Sequence, residues 1–178
     1  MISIRQKRDE FISVLSDDKK AIMAMVDHLI DKHNAKRIYY LSGPSYMHDI
    51  RMREDGFRER MKSRGVAFRE EYIFMGNLWY NIGKEAVDYF LSLDDERPDA
   101  ILCANDYMAI SVCEELCDRG FRVPEDIIVT GFDDVEEARD IYPMLTTVEA
   151  CPENFARCAM EIIKKAERGE KLEKQYYI

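Results

Sequence analysis

Three segments carry polar side chains suited to holding a small guest: SGPSYMHDIRMREDGF (42–57), CANDYMA (103–109) and TGFDD (130–134). Arg53, in the first, offers a planar fork of donors that grips a carboxylate or two neighbouring hydroxyls. Asn105 donates and accepts, whereas Asp106 and Asp133 only accept, so the set can read a hydroxylated ligand. Each residue also has a plainer use. Asn and Asp cap helices, so one of Asn105 and Asp106 is expected to cap the following helix, and one of Asp133 and Asp134 to cap VEEARD (135–140). Arg53 equally suits an ion pair with Asp133 or Asp106. Trp79, the only tryptophan, either stacks on the face of a ring-shaped guest or fills a core stripe with Ile82 and Ala86.

The residues needed for catalysis do not assemble in the same way. His28, His33 and His48 form no HExxH or triad pattern, and neither GxGxxG nor a Walker sequence occurs. Asp106, Asp133 and Asp134 constitute the one enzymatic alternative, a magnesium-assisted phosphoryl-transfer site, but no lysine follows a strand to complete it. The expectation is a binding protein and not an enzyme, with no metal and no cofactor.

These groups need a scaffold that gathers them, and the apolar pattern supplies one. Short Val/Ile/Leu-rich runs at 11–15, 37–43, 71–76, 99–105 and 127–132 read as strands. Between them lie helical stripes: Ile22, Met25, Val26, Leu29 and Ile30; a helix over about 47–64 stopping before Gly65; Trp79, Ile82, Ala86, Phe90 and Leu93; and Ala109, Val112, Cys113 and Leu116 ahead of Gly120. Alternation of this kind implies an α/β fold, a parallel sheet flanked by helices. Each polar segment follows the carboxyl end of a strand, where open sheets bind ligands. Arg53 lies about 40° from Phe57 and about 60° from Ile50 around its helix, on the inward face. After Pro143, LTTV (145–148) is extended, Pro152 opens a last helix running to Gly169, and KQYYI (174–178) is a strand.

With 178 residues and a net charge of −9, the chain repels a nucleic-acid backbone. Five cysteines, an odd count without CxxC, fit reduced thiols in the cytoplasm. No apolar run reaches the ~20 residues of a membrane span, and MISIRQKRDE lacks a signal-peptide core.

The segment PDAILCANDYMAISVCEELCDRGFRVPEDIIVTGFDD (98–134), followed by YPMLTTV, closely resembles the ligand-binding core of the LacI/GalR family, whose fold is that of type I periplasmic sugar-binding proteins. RIYYLSGP (37–44) and RxxGF (53–57) fit the same family, and the likeness spans about residues 12–169. The resemblance implies two lobes, a sugar- or nucleoside-like effector between them, and hinge motion passed to an output domain. It makes Arg53, Asn105 and Asp133 principal effector contacts. Leu78 stands where some members place a stacking aromatic, one residue before Trp79, and Ala150 replaces a polar residue often found two after LTTV.

The resemblance also implies a nearly complete C-terminal lobe at residues 37–147 and a partial N-terminal lobe at 1–36 and 148–178. DNA contact would run only through a helix-turn-helix outside this chain. The helices at 17–33 and 152–167 would lack part of their sheet, so a homodimer is expected to cover their apolar faces. Similar sensing domains precede diguanylate cyclase or kinase modules, which leaves a signalling output as the alternative to a transcriptional one.

Overall fold

The computed structural model describes residues 1–5, 7–93 and 97–178. Along the chain run β1 (Ile2–Ile4), β2 (Ile12–Leu15), α1 (Asp18–His33), β3 (Ile38–Ser42), α2 (His48–Ser63), β4 (Ile73–Met75), α3 (Gly83–Ser92) and β5 (Ala100–Cys103). They continue with α4 (Asp106–Asp118), β6 (Ile128–Thr130), α5 (Glu137–Asp140), α6 (Pro152–Glu167) and β7 (Gln175–Tyr177). Every strand pairing among the described residues is parallel. The α/β class read from the alternation is therefore the observed one. None of the described helices is long and apolar enough to cross a membrane.

The chain divides into two units, residues 19–149 and residues 1–18 with 150–178. In the larger, four strands stand in the order β4-β3-β5-β6. IYYLS and AILC show no alternation of apolar and polar residues because β3 and β5 are covered on both faces, and every residue of each is buried. Tyr40 stacks on Phe57 of α2 with ring centroids 4.8 Å apart, and Tyr39 stacks on Tyr72 at 4.3 Å. Removing a side chain such as Phe57 from water contributes roughly 2–3 kcal/mol. The smaller unit has a three-stranded sheet, β1-β2-β7, on which Val14, Phe155 of α6 and Ile162 of α6 form a separate core. Pro152 begins α6 at a position where its missing N–H costs no hydrogen bond.

Several expectations change here. Residues 1–36 were expected to group together, yet the α1 stripe of Ile22, Met25, Val26 and Leu29 packs into the core of the larger unit with Tyr39 and Phe57. That stripe is therefore covered, and what remains of the case for mutual covering by two copies is the outer face of α6, where Met160 and Ile163 are exposed. β1 was not anticipated. Glu71 and Tyr72, read as the start of a strand, lie instead in a 3-10 turn, Glu70–Tyr72, before β4. Trp79 belongs to no core stripe: a 3-10 turn, Tyr80–Ile82, precedes α3, and the indole is 63% exposed.

Candidate functional site

The carboxyl ends of β3, β5 and β6 deliver Gly43, Ala104 with Asn105, and Gly131 to Asp134, and α2 brings Arg53 to the same end of the sheet. Arg53 sits on the buried stripe of α2 with Ile50, Phe57 and Met61. Its Nη1 donates to the Ala104 carbonyl at 2.6 Å, and Nη2 lies 3.6 Å from Asp133 Oδ1. Its guanidinium carbon lies 3.6 Å from the ring centroid of Phe132, a stacked cation–π contact. The Arg53 side chain is 3% exposed and that of Asp133 is 28% exposed, so an arriving ligand meets the carboxylate first.

Asp133 is held from the backbone. Its N–H donates to the Val148 carbonyl at 2.8 Å, and it bridges in parallel to Glu149. Its φ of 110° is one that a residue with a β-carbon seldom adopts. Asp134, at φ 54°, turns the other way and pairs with Arg139. Neither aspartate caps α5, whose N-cap is Glu136 with no side-chain cap, so the expected cap on VEEARD is corrected.

Asn105 and Asp106 divide their roles sharply. Asn105 is the N-cap of α4: its oxygen accepts from the Met108 N–H at 3.1 Å, while Nδ2 donates to the Leu78 carbonyl at 3.0 Å. The amide retains one further N–H for a ligand. With Asn105 as the cap, Asp106 is still not left free for a ligand. It is fully buried, accepting from Thr147 Oγ1 at 2.6 Å and from the Val135 N–H at 2.9 Å. Burial pushes its carboxyl up to about 6 against the opposing pull of those bonds, and the Asp133 charge adds to the rise. Asp106 therefore ties the β6 exit to the LTTV segment.

The three aspartates consequently do not converge as a magnesium cluster requires, since Asp106 is enclosed and Asp134 faces Arg139. Among the described residues no group of three or more His, Cys, Asp or Glu could hold a metal ion.

Leu78 adopts φ 69°, donates its N–H toward Met108 Sδ, and presses on Gly43, where a β-carbon would meet Leu78 Cδ2 at 2.6 Å. Trp79 lies parallel to Tyr107 with centroids 6.3 Å apart, and Tyr80 meets Tyr107 at 4.7 Å. Arg53, Asn105, Asp133 and Leu78 thus stand around one end of the sheet, Trp79 lies on an outer aromatic patch, and Asp106 underlies them. Sequence reasoning missed the roles of Phe132 and Thr147. The signal for Phe132 was its place between Gly131 and Asp133, on a strand exit facing the inward stripe of α2.

Chemically, the site offers a guanidinium held flat on a ring, one carboxylate partly open to water and one amide. This suits neighbouring hydroxyls or a polar ring, because donor and acceptor lie side by side. Where no ligand is bound, the Arg53 charge is balanced by Asp133.

A family model for the periplasmic binding protein-like domain matches residues 26–176. Among curated proteins, the HTH-type transcriptional repressor PurR of Mannheimia succiniciproducens is 32% identical over 136 residues, covering 76% of this chain and 40% of that protein. The ribose operon repressor of Escherichia coli is 34% identical over 136 residues, covering 76% of this chain and 41% of that protein. The chain thus spans about two fifths of the length of these relatives. Of solved structures, a sugar-binding transcriptional regulator of the LacI family from Escherichia coli, complexed with phosphate, superposes with a TM-score of 0.86 at 25% identity, covering 98% of this chain and 63% of the other. A LacI-family regulatory protein from Chloroflexus aggregans shares the fold with a TM-score of 0.90 at 24% identity, covering 99% of this chain and 64% of the other.

Proposed function

The chain belongs to the periplasmic binding protein-like domain family, in its LacI/GalR form, and from that premise we propose that it is the effector-sensing part of a cytoplasmic transcriptional regulator. The effector is a small polar molecule, sugar- or nucleoside-like, bound by Arg53, Asn105 and Asp133, with Leu78 forming an apolar wall and Trp79 at the rim. Asp106 acts beneath the site by fixing the loop that carries Asp133. Occupancy is passed to a DNA-binding module of the same regulator.

One observation carries the reading: Arg53, nearly buried, is poised between the Phe132 ring, the Ala104 carbonyl and the Asp133 carboxylate at the carboxyl end of a parallel sheet. A ligand carrying two hydroxyls or a carboxylate exchanges with this pair without leaving the guanidinium unpaired. The relatives named as the repressor PurR and the ribose operon repressor set the panel to try first. Thermal-shift and calorimetric titration with pentoses, hexoses, disaccharides, nucleosides and nucleobases should find a ligand that raises the melting temperature. The effect should vanish in Arg53→Ala; a ligand bound unweakened by that variant would place the site elsewhere.

A further inference from the structure

We propose that His28 and His33 form a two-histidine site for a divalent transition metal of the zinc class. Both stand on α1, His28 half-buried and His33 exposed on the last turn. Their Nε2 atoms are 3.3 Å apart, with ring centroids at 5.0 Å and ring planes at 69°. Two imidazole nitrogens, each about 2.0–2.1 Å from one tetrahedral ion, stand about 3.3 Å from each other. The pair therefore has the span of a bidentate clamp without rearrangement. In the metal-free chain that spacing is an N–H···N hydrogen bond, with one ring donating and the other accepting; an ion takes the place of the shared proton.

The surroundings supply a second, independent observation. The two rings border a cavity of about 100 Å³ whose wall also includes Cys113, Thr130 and Met144. Thr130 is 1% exposed, and its Oγ1 has no hydrogen-bond partner among the described residues. The volume accommodates an ion with a few waters, each of which occupies about 30 Å³.

Electrostatics favour the same occupant. The terminal carbonyls of α1 present partial negative charge where His33 stands. Asp27 and Asp31 on the same helix are engaged by Arg64, and no third strong ligand from the described residues closes on the pair. Water completes the coordination sphere, which makes this an exchangeable site rather than a structural one. The inference is independent of the effector reading, since it uses none of that site's residues.

The test is calorimetric titration of zinc chloride into the whole chain, stripped of trace metal, and into His28→Ala, His33→Ala, His33→Gln and a Cys113→Ser/Cys117→Ser double variant. The expected result is one zinc per chain, bound at least about tenfold more weakly by each histidine variant and unchanged in the cysteine variant. Melting temperatures in EDTA check folding, and exposed His33 provides two variants that keep the fold. Zinc binding that is undiminished in the histidine variants, lost only with the cysteines, or absent up to about 1 mM metal would overturn the proposal.

Discussion

Asp106 occupies the space that a β-carbon on Gly131 would need: its Oδ1 would lie far inside van der Waals contact, and Leu145 Cδ2 would stand 2.9 Å away. The break in IIVTGFDD therefore follows from close approach. Glycine at 131 lets the first carboxylate of α4 pass beside β6 and reach Thr147 and Val135. Gly131→Ala must displace Asp106, a buried and hydrogen-bonded group. A loss of about 2–3 kcal/mol is expected, read from the midpoint of urea unfolding.

Asp106 also gives the fold a pH dependence of predictable sign. Its carboxyl titrates near 6 in the folded chain, above its usual value of 3.8. Between those values the folded chain holds a proton that the unfolded chain has released. Lowering the pH from 7 toward 4 therefore adds stability from this residue, up to about 3 kcal/mol, and raising it through 6 removes that contribution. Asp106→Asn has no such titration and keeps both hydrogen bonds, with the amide oxygen facing Val135 and the amide nitrogen facing Thr147. At pH 7 it should be at least as stable as the parent, and the difference should shrink as the pH falls to 4.5. Urea unfolding at the two pH values checks this, and a variant less stable at both would contradict it.

Arg53→Lys tests whether planarity matters as well as charge. An ammonium cannot lie flat on Phe132 while bonding both Ala104 and Asp133. Effector binding is expected to weaken by at least about tenfold although the charge is kept. If calorimetry gave equal affinities for the two proteins, the stacked geometry would be irrelevant to binding.

Asn105→Asp separates two jobs of one side chain. The carboxylate still accepts from Met108 and preserves the cap, but it cannot donate to the Leu78 carbonyl. The parent's helix stability should be retained, whereas Asn105→Ala should lose about 1 kcal/mol through the missing cap. Both should bind effector more weakly. Thermal unfolding measured beside ligand titration distinguishes the cap from the contact.

The single tryptophan is a built-in reporter. Trp79 is largely exposed beside Tyr107 and Tyr80. Its emission should be that of a solvated indole, open to acrylamide quenching, and Trp79→Ala should leave stability within about 0.5 kcal/mol. A blue-shifted emission protected from quencher would mean that the ring is enclosed in solution.

The parts of this architecture that were legible in the sequence are those in which one local pattern has one meaning. IYYLS and AILC, without a polar residue at alternate positions, read as covered strands, and Pro152 and Gly169 bracket α6 as their backbone preferences dictate. Arg53 was legible because helical spacing put a guanidinium beside Ile50 and Phe57, and all three are buried on α2. What failed depends on tertiary choice. The stripe on α1 announces a buried face but not the sheet that buries it. Trp79 keeps step with Ile82 and Ala86, yet Leu78 at φ 69° and the 3-10 turn break that register before α3 begins. Asn105 and Asp106 are both cap residues by type. Only the extended backbone of Asn105, at φ −150° and ψ 169°, decides between them.

The backbone at Asp133 carries a further implication. Its φ of 110° costs about 1–3 kcal/mol in any residue but glycine. Glycine would relax the turn, and the same exchange would strip Arg53 of its counter-ion. Comfort of the chain and responsiveness to a guest thus compete at one position, and a lineage selected for ruggedness alone would be drawn toward a quieter, deafer protein.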